Sequence, residues 1–279
     1  MKKRGLMVLT VVAAAGAFSL TAAAEETVTV FAAASLTETL EKGKEIYEEL
    51  HPGTELVFNF DSSGTLKTQI EEGADCDVFI SAAEKQMDQL DIEAGEDLNT
   101  DGLDFIDHDT RLDLLENKVV LAAAEGNPAG VESFEQLFER LEAGDIFLAA
   151  GNEDVPVGQY TVKIFDYFGM DMEEAAAAGL ITYGSNVKEV TVQVSEGTVD
   201  CGIVYCTDAF SAGLEVVDEA DEAMCGRVLY PAAVTKNAAD HDAAKEYLDF
   251  LSSDEMKEIF EEVGFTPVWG DEAAEEETE

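Results

Sequence analysis

Positive charge is scarce in this chain. Sixteen Lys and Arg residues stand against 61 Asp and Glu, which leaves a net charge of −45 over 279 residues. Nucleic acid and anionic membrane surfaces are bound through basic side chains that displace counterions, so both are excluded as partners. Cysteine is sparse as well. Cys76, Cys201, Cys206 and Cys225 form no C-x-x-C pair, and His51, His108 and His241 are scattered, so the common zinc patterns are missing. Cys201 and Cys206 flank a short apolar run that, when extended, holds them roughly 16 Å apart, too far for a mutual disulfide. A bridge such as Cys201 to Cys225, or buried free thiols, are both open. No G-x-S-x-G elbow occurs, and no histidine lies near the serine-rich turns in sequence. A secreted hydrolase with Ser63 or a cysteine as nucleophile would therefore lack an evident base. Beyond residue 24 no apolar run is long enough to cross a bilayer.

The first 24 residues differ from the rest. Lys2, Lys3 and Arg4 precede an apolar stretch over 6–20, and Ala22-Ala23-Ala24 ends it with small residues. That is the pattern of a secretory signal peptide, which implies export to the periplasm or to the outer face of the cytoplasmic membrane. An uncleaved anchor is the alternative. At the other end, residues 271–279 carry six acidic residues and read as a disordered tail.

Between them the pattern alternates. Apolar runs at 28–32, 55–60, 77–81, 119–123, 146–149, 202–205 and 228–234 predict buried strands. Helical periodicity at 37–50, 65–72, 84–90, 134–141, 159–168, 188–195, 243–251 and 254–263 predicts the segments between and after them. The fold class is α/β, with mostly parallel, doubly wound sheets covered on both faces. Ligands of such folds sit at the carboxyl ends of strands, where helices begin.

Four of those junctions share a chemistry. Ser35 follows the first strand, and Asp61-Ser62-Ser63-Gly64-Thr65 follows the second. Val155-Pro156-Val157-Gly158 opens the helix at 159–168, and Ser185-Asn186-Val187 opens the one at 188–195. Tyr205 closes the strand at 202–205 and can aim its hydroxyl into the same space. Each feature alone is ordinary capping or turn chemistry. Together they offer hydroxyls and backbone N–H groups and no cation, which suits a fully deprotonated oxyanion.

The stretches FAAASLTETL, SSGTLKTQIEEGADCDVFISA, VPVGQY, GIVYCTDA and EIFEEVGF, in that order, resemble bacterial molybdate-binding proteins, the extracytoplasmic receptors of molybdate ABC importers. The likeness runs from about residue 28 to 265. It implies a two-lobed periplasmic-binding-protein fold of type II, with residues 25–118 and 227–270 in one lobe and 119–226 in the other. It further implies that Ser35 and Ser63 donate to the anion from the first lobe. From the second come backbone N–H groups of Val157 and Val187 and the hydroxyl of Tyr205. The implied ligand is molybdate or tungstate, with no cofactor, no catalysis and a membrane permease as partner of a monomeric receptor. A receptor for another tetrahedral oxyanion such as sulfate is the alternative. Val157 stands where the family has alanine, Gly64 where a further serine is common, Asn152 in place of a frequent proline, and Cys206 in place of a small residue. Asp61 is expected to point outward or to cap its own helix, because a carboxylate facing a dianion is costly.

Overall fold

The computed structural model describes residues 26–269. The expected signal peptide (1–24) and the expected disordered tail (271–279) lie outside the described residues. The chain opens with β1 (Glu26–Ala33), α1 (Thr37–Leu50), β2 (Thr54–Asp61), α2 (Ser63–Glu71), β3 (Val78–Ile80), α3 (Glu84–Asp88) and β4 (Leu112–Asn117). A second run comprises β5 (Val119–Ala123), α4 (Phe134–Ala143), β6 (Leu148–Gly151), α5 (Pro156–Phe168), α6 (Met172–Ala177), β7 (Ile181–Gly184), α7 (Val187–Ser195), β8 (Cys201–Tyr205), α8 (Cys206–Ala212) and β9 (Glu215–Glu219). The chain ends with α9 (Glu222–Cys225), β10 (Val228–Val234), α10 (His241–Leu251), α11 (Asp254–Val263) and β11 (Thr266–Pro267).

These strands form two sheets. One has six strands in the order β11-β4-β10-β3-β1-β2, and the other five in the order β7-β6-β8-β5-β9. Alternate residues of the central strands feed opposite faces: Val30 and Ala32 enter the main core, whereas Phe31 joins Leu66, Phe79 and Met87 in a second cluster. Burial on both faces explains why these strands read as continuous apolar runs.

The sheets are mixed rather than mostly parallel in their pairings. β1 pairs in parallel with β2 and β3, and β6 with β7 and β8. β10 lies antiparallel to β3 and β4, and β5 antiparallel to β8 and β9. The cause is the crossing between sheets. Lys118 alone separates β4 in one sheet from β5 in the other, and β10 brings the chain back after α9. Each returning strand enters its sheet against the prevailing direction. β4, β7, β9 and β11 were not legible as strands. β7, β9 and β11 lie at sheet edges, where no unbroken apolar run is required, and Asp113 and Glu116 interrupt the apolar run of β4. All four cysteines are free thiols, which decides the question that the spacing left open.

One buried carboxylate fixes the first sheet near its start. Asp77 accepts the Thr29 N–H at 2.7 Å and the Ala239 N–H at 2.6 Å, tying β1 to the loop after β10. Hydrogen bonds to a charged acceptor contribute about 1.5–3 kcal/mol each. Asp77→Ala should therefore lower unfolding free energy by about 3 kcal/mol or more, measured by urea denaturation.

Candidate functional site

Ser35, Ser63, Val157, Val187 and Tyr205 line one cavity between the two sheets, with an empty volume of ≈ 210 Å³ counted to its open mouth. Not every helix start around it is closed by a side chain. At the head of α4, α6, α10 and α11, side-chain oxygens of Ser133, Asp171, Asp240 and Ser253 take up the first free N–H groups. Ala33, Val155 and Tyr205 also occupy N-cap positions, and none supplies a side-chain cap. All three line the cavity. The helix α5, thirteen residues long, thus begins with Val155 and Pro156 and turns uncapped N–H groups toward that space. Gly158 has to be glycine there, because a Cβ would overlap the carbonyl oxygens of Gly151 and Asn152.

The hydroxyls have distinct jobs. Ser62 caps α2 through the Thr65 N–H at 3.2 Å, which releases Ser63 for the cavity. Ser63 Oγ accepts the Ala82 N–H at 2.9 Å, so its own proton is free to be donated. Ser35 does not cap a helix, contrary to the sequence reading. It lies in a single 3₁₀ turn before α1, and its hydroxyl is 3.0 Å from that of Tyr230. At the α7 start, Asn186 is the cap, accepting the Glu189 N–H at 3.1 Å. Tyr205 is buried and donates to the Ala82 carbonyl at 3.4 Å. Burial holds its phenol pKa well above the usual value, so the group stays a donor.

Asp61 departs from expectation. It lines the cavity and is half-buried. Its Oδ1 accepts the Ser62 N–H at 2.7 Å and lies 3.5 Å from Asn186 Nδ2 on the opposite wall. These two donors draw the carboxylate inward and disperse part of its charge. His108 and His241 are elsewhere, engaged with Asp91 at 2.7 Å and with Asp107 at 2.6 Å. Among the described residues, no group of His, Cys, Asp and Glu is placed to hold a metal ion.

Several residues that shape the site carried no sequence signal of their own. Ala82 touches both Ser63 and Tyr205. It follows a strand that ends in small residues, the same signature as at Ser35, but it offers no hydroxyl to notice. Across the cavity the two walls meet: a Cβ on Gly64 would overlap the backbone carbonyl of Asp154. Lys188 of α7 reaches Glu38 of α1 at 2.8 Å and lies 3.3 Å from Asp208. Both carboxylate oxygens of Asp208 are buried without a directed hydrogen bond. Burial pushes its pKa up to about 6, against the opposing pull of Lys188.

The chain belongs to the bacterial extracellular solute-binding protein family, whose sequence profile matches residues 28–266. It is 33% identical over 242 residues to the protein YvgL of Bacillus subtilis, covering 86% of each chain. It is also 32% identical over 248 residues to the molybdate-binding protein ModA of Escherichia coli, covering 87% of this chain and 90% of ModA. Among solved structures, the periplasmic molybdate-binding protein of Azotobacter vinelandii superposes with a TM-score of 0.71 at 21% identity, over 86% of this chain and 98% of that one. The likeness of structure is one of fold, the two-lobed architecture of periplasmic binding proteins.

Two outcomes follow from this geometry. Gly64→Ala should hold the walls apart at Asp154, leaving unfolding nearly unchanged while small-angle scattering reports a larger radius of gyration. Asp208 takes up a proton more readily folded than unfolded, so its share of stability grows as pH falls through about 6 toward ~4 and is lost as pH rises. Asp208→Asn should therefore raise the Tm relative to the unaltered chain more at about pH 7.5 than at about pH 4.5, by thermal unfolding at both.

Proposed function

We propose that this protein captures molybdate, and tungstate with it, and delivers the anion to a membrane ABC permease. The observation that carries the reading is the convergence of uncapped helix starts and committed hydroxyl donors on one cavity whose lining contains no basic side chain. N–H groups at helix starts carry partial positive charge, and a dianion held by them needs no counter-cation. The ligand shell comprises the hydroxyls of Ser35, Ser63 and Tyr205 and the N–H groups of Val157 and Val187. Hydrogen bonds to a charged acceptor contribute roughly 1.5–3 kcal/mol each, so five of them are ample for tight capture. The sequence relationship to ModA, a molybdate-binding protein, names this ion among tetrahedral oxyanions.

Capture works by closure. In this reading the lobes implied by the family resemblance rotate about the crossings next to Lys118 and after β9. In the open form the anion enters and meets one wall. Closing brings Tyr205 and the heads of α5 and α7 onto it, beside the Ala82 carbonyl of the first wall. Sulfate has the same charge and shape but shorter bonds to oxygen, so donors spaced for molybdate would be left in part unpaired around it. The receptor acts as an exported monomer and catalyses no reaction. Support for binding over hydrolysis comes from the positions of the histidines, since His108 and His241 are paired with carboxylates away from Ser63.

Calorimetry and thermal unfolding with molybdate, tungstate, sulfate and phosphate test this reading. Molybdate and tungstate at about 100 times their Kd should stabilise the chain by roughly 2.7 kcal/mol. Ser63→Ala and Tyr205→Phe should each weaken molybdate binding by roughly 10- to 100-fold without loss of fold. A clear shift with sulfate and none with molybdate or tungstate would overturn the assignment.

A further inference from the structure

Behind Ser35 lies a chain of hydrogen bonds whose direction is forced. Asn117, the last residue of β4 before the crossing, is buried, and its Oδ1 accepts the Lys118 N–H at 2.8 Å. A backbone N–H cannot accept, so this contact fixes which end of the amide is the carbonyl. The two protons of Nδ2 then point at Thr207 Oγ1 (2.9 Å) and at Tyr230 Oη (3.2 Å). Tyr230 Oη, which accepts from Asn117, has a single proton of its own to place. Its other partner is Ser35 Oγ at 3.0 Å, and burial keeps the phenol pKa well above its usual value, so that proton stays in place. Ser35 Oγ must accept it, and the serine proton is left to turn toward the cavity that the residue lines.

We infer that Tyr230 and Asn117, neither of which lines the cavity, are positioning residues that set Ser35 as a hydrogen-bond donor to the bound anion. Without them the Ser35 hydroxyl can spend its proton on a neighbour and present lone pairs to the ligand. Ser63 reaches the same state more simply, through the Ala82 N–H. The first wall of the site is thereby oriented before any anion arrives, which removes the cost of turning its hydroxyls on binding. Asn117 also holds Thr207 at the head of α8, so the orienting amide sits where the chain passes from one sheet to the other.

The inference rests on the oxyanion reading above, and a double-mutant cycle separates the two. Molybdate dissociation constants are measured by calorimetry for the unaltered chain, Tyr230→Phe, Ser35→Ala and the double variant, with thermal unfolding as a check on folding. Tyr230→Phe should weaken binding roughly three- to tenfold, and Ser35→Ala roughly 10- to 100-fold. In the double variant the Tyr230→Phe loss should vanish, leaving an affinity within about twofold of Ser35→Ala alone. Unchanged affinity in Tyr230→Phe, or losses that multiply in the double variant, would overturn the positioning role. Should Tyr230→Phe not fold, Asn117→Ala takes its place in the same cycle with the same expected outcomes. If the unaltered chain binds sulfate and not molybdate, the functional reading fails, and the cycle run with sulfate still decides the role of Tyr230.

Discussion

Every α-helix begins with N–H groups that have no partner within the helix, and how those groups are satisfied governs this molecule. Where helices face solvent or core, side chains such as Ser133, Asp240 and Ser253 take them up. Around the cavity Ser62 and Asn186 cap α2 and α7, while Ala33, Val155 and Tyr205 leave the N–H groups of the other starts without a side-chain partner. The sheets exist, in effect, to bring these unsatisfied ends together: the strands deliver the chain to the cavity, and the helices that start there carry their dipoles away from it. A net charge of −45 does not forbid an anion on these terms, because carboxylates on the outer surface are screened by salt and Asp61 is the one acidic residue among the described residues that line the cavity.

The two walls are joined by contacts of very different strength. Tyr205 to Ala82 and Asn186 to Asp61 are long, at 3.4 and 3.5 Å, and little is lost when they part. Lys188 to Glu38 is short, but Glu38 is half exposed, and pairs of that kind contribute on the order of 0–1 kcal/mol. These contacts hold the two walls together weakly. Under the proposed function, closure is then driven by the ligand.

Much of the site was legible because its chemistry is local. Ser63, Val157 and Val187 stand at helix starts that can be recognised from a strand, a turn of small or polar residues and a periodic run. Tyr205 ends a strand whose neighbours make its direction plain. Ser35 was found for a mistaken reason, since it caps nothing and its partner is Tyr230, 195 residues further on. No local pattern links Asn117 to Tyr230 or Asp61 to Asn186, because these pairings are made by the crossing of the chain and not by spacing. The mixed sheets were missed on the same account: whether β5 and β10 run with or against their neighbours depends on how the chain returns between sheets, and an apolar run reads alike in either direction.

The four free cysteines carry a consequence of their own. Cys76, Cys201 and Cys225 are buried, and desolvation pushes the thiols of Cys201 and Cys225 up to about 12 and about 11. Thiols held in that state are poor nucleophiles and poor targets for oxidation. With no covalent cross-link among the described residues, folding draws on packing and hydrogen bonding alone. The molecule can thus mature without an oxidising catalyst and keep the same shape whether its surroundings are aerobic or strongly reducing.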